Sequence, residues 1–359
     1  MKKILKIASA FIGIIVGAGF ASGQEILQYF TSFGYLGTIG TIISTALFAY
    51  MGMMLVKLGT RTQATSHKEA VYKVSGNKFL GLIVDYVIIL TLFGVGVVMV
   101  AGAGSIPSQQ FGLPSLVGVI FMSILVVAII MMNVDKVVNV IGSITPFLII
   151  TVVMISVYSL FTMDQSFSEL NPVAVDQPSS LSNWFISAIN YVSFNVAVGA
   201  SMSLLMGGNE KDEKISALGG LLGGLGLGSM IVLSHLAIFS KVDTVAAYDM
   251  PILALVDGLS PVLGTFYSIV LFGMVFNTAV SMFFSFAARF TTVGTSQHKK
   301  FVLITGLAAF GLSFVGFTDL VAFFYPFIGY MGLFLIFALV TAPFRLKNGK
   351  QNDTQRLSA

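Results

Sequence analysis

The chain has 359 residues, of which 56% are hydrophobic and only 9% charged, and its mean hydropathy is +0.94. That balance excludes a soluble domain and describes a polytopic membrane protein. The absence of cysteine excludes disulfides, iron–sulfur clusters and thiolate zinc sites. The formal net charge of +4 reflects how Lys and Arg are shared between loops, not an anionic partner.

Met1 to Lys6 is a short basic stretch ahead of an apolar run, the opening of a secretory signal peptide. No small-residue cleavage site follows cleanly and the run is long enough to span, so it is read as the first membrane segment. Apolar segments follow at about 5–30, 36–58, 79–104, 114–133, 137–160, 183–206, 215–239, 260–290, 301–316 and 319–344. Each can cross a hydrocarbon core of about 30 Å at 1.5 Å per residue, some with tilt or flanking residues included. They are numbered here as spans 1 to 10. The cytoplasmic loop 59–78 contains Ser66-His67-Lys68-Glu69-Ala70-Val71-Tyr72-Lys73, expected as a short interfacial helix. Met250 to Asp257 is apolar but too short to span and predicts a re-entrant or lid element before span 8.

The distribution of Lys and Arg tests this count. With the N-terminus in the cytoplasm, 18 of the 19 basic residues fall inside and only Lys241 outside. A missed or invented span would scramble the later loops, so both termini are expected inside a bacterial-type cell membrane. The outer loops carry Asp164, Glu169, Asp176, Asp243 and Asp249. Residues 345–359 read as a solvated tail.

Span 1 contains Val16-Gly17-Ala18-Gly19-Phe20-Ala21-Ser22-Gly23-Gln24-Glu25. Six small residues in seven, followed by an amide and a carboxylate, weaken a helix where water is scarcest. Broken backbone at membrane depth survives only inside protein or beside a water-filled cavity. Small residues also let helices pack closely, but Gln24 and Glu25 exceed what packing needs, and an intramembrane Glu marks a functional site by default. Glu25 is a proton carrier, a partner for a cationic substrate, or an outer gate, unless it snorkels to the interface. In span 6, Asn190 and Asn195 lie in an otherwise apolar run, as a pocket or as interhelical hydrogen bonds.

Shifting the chain by 180 residues lays Gly17-Ala18-Gly19 on Ala197-Val198-Gly199 and Pro146-Phe147 on Pro326-Phe327. Five spans per repeat is odd, so the second copy must be inverted in the membrane. Matching interruptions in two halves point to a transporter's binding site. The halves are 1–160 and 183–344, joined by an outer connector at 161–182.

With these features the chain resembles the amino acid–polyamine–organocation superfamily, whose fold is the five-plus-five inverted repeat of the bacterial leucine transporter. Within it, the chain is most similar to a bacterial family of membrane proteins called YkvI. The resemblance implies an all-α protein of ten transmembrane helices with spans 1 and 6 broken at mid-membrane. It implies substrate contacts at Gly17, Ala18, Gly19, Phe20 and Ser22 and, on a break at Tyr191 to Asn195, at Asn190, Tyr191, Phe194 and Asn195. An interrupted helix supplies unpaired N–H groups and a positive dipole end, which favour anions. The resemblance also implies a sodium site, with carbonyls near Gly13 and Val16 facing Asn277, Thr278 and Ser281 of span 8. Hard cations prefer such neutral oxygens.

The sequence departs from the family at three places. Asn277 stands where a hydroxyl is common, span 5 has only Lys136 at its inner end, and Gly94 and Gly96 of span 3 stand where a substrate-contacting aromatic is sought.

Asp85 is expected to pair with a basic residue at the inner face, and His235 to be a hydrogen-bonded structural histidine. The glycines of span 7 read as close packing. The expected function is ion-coupled symport of a small amino acid or related amine by alternating access, driven by Na⁺ or H⁺ without an organic cofactor. A channel or a non-transporting ligand sensor is the alternative. An enzyme is disfavoured, because no metalloprotease-type H-E-x-x-H and no thiol is present. The expected partners are a small-molecule substrate and the lipid bilayer, without nucleic acid; a homo-oligomer stays open.

Overall fold

The computed structural model describes residues 1–63, 78–131 and 145–357. Among these the regular elements are helices, with no strand. They are α1 (Lys2–Ile15), α2 (Ala18–Ser22), α3 (Gln24–Tyr29), α4 (Gly34–Thr62), α5 (Lys78–Phe111), α6 (Ser115–Met131), α7 (Thr145–Phe161) and α8 (Phe167–Val175). After these come α9 (Trp184–Gly208), α10 (Glu213–Phe239), α11 (Val242–Val245), α12 (Pro251–Leu259), α13 (Pro261–Phe290), α14 (Ser296–Ser313) and α15 (Phe317–Leu357).

Each predicted span carries a helix over its described residues. By length and composition, five helical stretches can cross a membrane unaided, namely Gln24–Thr62, Lys78–Phe111, Glu213–Phe239, Pro261–Phe290 and Phe317–Ala342. Trp184–Gly208 is a sixth if its bent halves form one span. The predicted interfacial helix at 66–73 and Lys136 lie outside the described residues. The lid element is present as α12, with Pro251 at its first position, where a missing N–H costs nothing. The connector holds α8, opened by a capping box in which Glu169 accepts from the Ser166 backbone at 2.7 Å. That bond holds the Glu169 carboxyl below its ordinary range.

One expectation is corrected. Span 6 is not broken at Tyr191 to Asn195: α9 is continuous there and bends by 54° further on, between Ala200 and Met202. The side-chain amides satisfy neighbouring groups without disturbing the helix, since the Asn195 amide donates to the Tyr191 carbonyl one turn back at 2.9 Å. α15 continues as a helix through the expected tail to Leu357.

The helices pack in two groups. One comprises α1, α4, α9 and α10. Its glycines bring backbones into contact: a Cβ on Gly220 would strike the Gly52 carbonyl, one on Gly224 the Phe48 carbonyl, and one on Gly207 the Val56 carbonyl. Close approach of this kind replaces the hydrophobic drive that helices lack in lipid. The other group comprises α5, α6, α13 and α14. Here rings fill the glycine gaps, with Phe283 of α13 against Gly96 and Phe324 of α15 against Gly94. Phenyl rings from other helices therefore occupy the span 3 positions where an aromatic was sought. α15 touches both groups.

Charges segregate to the two ends. Lys3–Glu210 (3.4 Å), Arg61–Glu213 (2.9 Å) and Asp85–Arg289 mark a basic end. The last pair supplies the partner expected for Asp85. At the acidic end Lys241 pairs with Asp164 at 2.5 Å and Gln165 donates to Asp243 at 3.0 Å. Between the ends, exposed Phe121, Ile124, Met154, Ile269, Ile304 and Phe323 give the apolar exterior of a multi-pass membrane protein.

Candidate functional site

Span 1 is interrupted twice. α1 stops at Ile15, Val16 and Gly17 are extended, and α2 begins at Ala18. α2 stops at Gly23, whose φ of +83° lies in the left-handed region that favours glycine. A Cβ on Gly23 would also lie 2.7 Å from Cγ1 of Ile252 in α12, so the lid rests on this glycine. The freed backbone groups find local partners. The Ser22 hydroxyl donates to the Gly19 carbonyl at 2.7 Å and accepts from the Gln24 amide at 3.2 Å, and the Tyr267 hydroxyl of α13 donates to the Ala21 carbonyl at 2.7 Å. The first N–H groups of α2 have no partner within the helix.

Every residue of α2 and α3 is buried, including Ser22, Gln24, Glu25 and Gln28. Glu25 is 4% exposed, so it does not snorkel. Its Oε1 accepts from the Tyr191 hydroxyl at 3.3 Å. Gly19 faces the other oxygen: a Cβ there would lie 3.1 Å from Glu25 Oε2 and 3.1 Å from the Tyr325 hydroxyl. The Tyr325 ring stacks on Phe194, with centroids 4.1 Å apart. Gly19, Tyr191 and Phe194, all expected at the site, thus converge on Glu25 together with Tyr325. Ala18 and Phe20 are buried beside them and Gly17 is half-buried.

Other expected residues serve elsewhere. Asn190 accepts from the Tyr29 hydroxyl at 3.2 Å and donates to the Pro326 carbonyl at 3.0 Å, fastening α9 to α3 and α15. Asn195 bonds within its own helix and Ser22 caps its own turn. His235 is buried with a threonine on each ring nitrogen, Thr31 at 3.0 Å and Thr38 at 2.8 Å, the structural role expected of it.

On span 8, Asn277, Thr278 and Ser281 are half-buried. The Asn277 side-chain oxygen is buried with no hydrogen-bond donor, as a cation ligand would be. Val16 is buried, whereas Gly13 is exposed on α1, which packs chiefly on α10 and α9.

The acidic end above the break is roofed. Asp249, just ahead of α12, accepts from Ser105 of α5 at 2.6 Å and from Thr318 of α15 at 2.7 Å. The Gln109 side chain pairs twice with the Met250 backbone, each bond 3.0 Å. Gln28 donates to the Thr318 carbonyl at 3.1 Å and accepts from Ser180 at 2.9 Å. A cavity of about 610 Å³ opens beside this roof, lined by Gln109, Gln110, Tyr158, Lys241, Asp243 and Asp257 among others. It includes no residue of the break, and its acids are already paired, Asp257 with Gln110 at 2.7 Å for one. The break, with its buried carboxyl, is therefore the better candidate. Tyr325, Tyr29 and Tyr267 were not found from sequence; their one signal is that a tyrosine inside an apolar span needs a hydroxyl partner.

No family model matches the chain. It is 27% identical to YkvI of Bacillus subtilis, an uncharacterised membrane protein, over 277 residues, 77% of each chain. Among solved structures it is similar to MhsT, determined in complex with L-phenylalanine, with a TM-score of 0.60 and 17% identity, covering 94% of this chain and 87% of that one. The manganese transporter of Eremococcus coleocola gives a TM-score of 0.58 and 16% identity over 93% of this chain and 77% of its own. At such identities the likeness is one of fold, and the fold is that of the leucine-transporter type.

Proposed function

We propose that the chain is a secondary active transporter that carries a small amino acid or related amine by alternating access, coupled to Na⁺ or H⁺. The observation that carries this reading is the double interruption of span 1, followed by a segment encased in protein that holds a buried carboxylate. Irregular backbone and an acid at that depth need a ligand-bearing interior. The group α1, α4, α9 and α10 is the moving unit and α5, α6, α13 and α14 the frame. The roof at Asp249 closes the outer path, and the basic end, with both termini, faces the cytoplasm because 18 of 19 Lys and Arg fall there.

MhsT, solved with L-phenylalanine, supports an amino acid as cargo, and the manganese transporter shows a fold of this type serving a cation. Where Na⁺ is the coupling ion, the Asn277 side-chain oxygen, Thr278 and Ser281 would hold it with backbone near Gly13 and Val16. Na⁺ there would neutralise carbonyl dipoles and join α1 to α13. The polar groups gather at mid-depth rather than along a continuous stripe, which favours a closed site over a channel.

Thermal unfolding of the purified protein across small amino acids and amines, in sodium chloride and in choline chloride at two pH values, tests this. A ligand at a hundredfold excess over its Kd stabilises by about 2.7 kcal/mol. A shift that needs sodium supports the span 8 residues, and a shift that follows pH supports Glu25. No shift with any compound overturns the substrate class.

A further inference from the structure

Among the described residues Glu25 has no counter-charge. Oε1 meets the Tyr191 hydroxyl of α9, and Oε2 lies near the Tyr325 hydroxyl of α15 across Gly19. Tyr29 of the same helix turns to Asn190, and His235 of α10 is engaged by two threonines. The lid presents Ile252 to this segment. Among the described residues, no Lys, Arg or His pairs with Glu25. A carboxylate buried without compensation costs several kcal/mol by desolvation. It must therefore share its site with a positive charge. A phenol-lined carboxylate also suits an ammonium group, since aromatic faces attract cations.

We propose that the Glu25 carboxylate, flanked by Tyr191 and Tyr325, is the subsite for the ammonium group of the cargo, and that a proton occupies it when the cargo leaves. Arrival of an ammonium releases the carboxyl proton to water, and departure takes one back. No bond other than O–H changes, and one positive charge stays at the site throughout. Gly19 is glycine because a side chain there would occupy the space between the carboxylate and the Tyr325 hydroxyl. This rests on the transporter reading for its cargo, but not for its binding chemistry.

The test is binding by purified protein of amine and hydroxyl pairs matched in shape: L-alanine with L-lactate, L-phenylalanine with L-phenyllactate, and propylamine with propanol. At least one amine is expected to raise the unfolding midpoint while its hydroxyl partner does not. Its apparent Kd should change about tenfold per pH unit where Glu25 exchanges its proton, weakening as pH falls. Calorimetry in buffers of different ionisation enthalpy should show about one proton released per amine bound at the acid end of that range.

Glu25→Gln should fold, weaken amine binding by about a hundredfold and remove the pH dependence, as expected when one partner of a buried charge pair is truncated. Glu25→Asp keeps the charge on a shorter arm. It should bind more weakly and retain the pH dependence, which preserves the test if the Gln variant does not fold. The proposal is overturned if no amine binds, if a hydroxyl partner binds as well as its amine, or if Glu25→Gln binds like the wild type. Flux into proteoliposomes separates the two readings. Glu25-dependent amine binding without flux leaves the subsite standing and removes the transporter, whereas flux indifferent to Glu25 does the reverse.

Discussion

The two halves of span 1 share a sequence segment and little else. From Ala18 to Tyr29 every residue but the turn is a buried helical one, and Gly23 itself lies under the lid. In α1 only Ile7, Ala8, Phe11 and Ile15 are buried. Lys2, Lys6, Ser9 and Gly13, a stripe at helical spacing, are exposed. The half that carries Gln24, Glu25 and Gln28 is enclosed, whereas the half that carries Lys2, Lys3 and Lys6 keeps one face exposed. Protein surrounds the segment whose backbone and carboxylate lipid cannot satisfy. The regular half needs no such support and packs along one side only.

This contrast can be broken at several strengths. Gly19→Leu should have the largest effect, driving a side chain into Glu25 and Tyr325; uptake should be abolished, with stability lowered by about 1–3 kcal/mol for overpacking. Gly220→Val, at the α10–α4 backbone contact, should cost a similar amount in the unfolding midpoint without touching the site. Tyr325→Ala removes the Phe194 stack, a loss of about 0.5–1.5 kcal/mol beyond area burial. Uptake should fall while the roof stays closed. Gly13→Ala should raise stability by about 0.5–1 kcal/mol, as replacing an exposed helical glycine does, and leave the site untouched.

Labelling sharpens the comparison, since the chain has no cysteine of its own. Gly13→Cys should react with a membrane-impermeant thiol reagent in the purified protein, and Ser22→Cys should resist it. Equal reaction at both would remove the distinction between the halves.

The glycine-rich segment of span 1 was legible because a bilayer allows so few reasons for such a sequence. The packing role of the span 7 glycines was legible for the same reason, and Gly220 and Gly224 touch backbone as small residues there should. In span 6 the break at Tyr191 to Asn195 came from the family resemblance, and the asparagines themselves mark only polar groups in an apolar run. Their amides in fact bond to Pro326 and Tyr191 while the helix continues. Tyr325 carried no signal beyond a hydroxyl in an apolar span: it lies 300 residues from Glu25 in sequence, and one tyrosine among phenylalanines has no periodic mark. Asp249 read only as a loop acid, since its two hydroxyl partners come from spans 3 and 10.

The measurement that bears most directly on the central claim is uptake into proteoliposomes of whichever amino acid or amine stabilises the protein, with a sodium or proton gradient imposed, for the wild type and Gly19→Leu side by side. The wild type should show gradient-driven accumulation that collapses when the gradient is dissipated, and the variant none. Equal accumulation by Gly19→Leu would place the binding site away from the break in span 1.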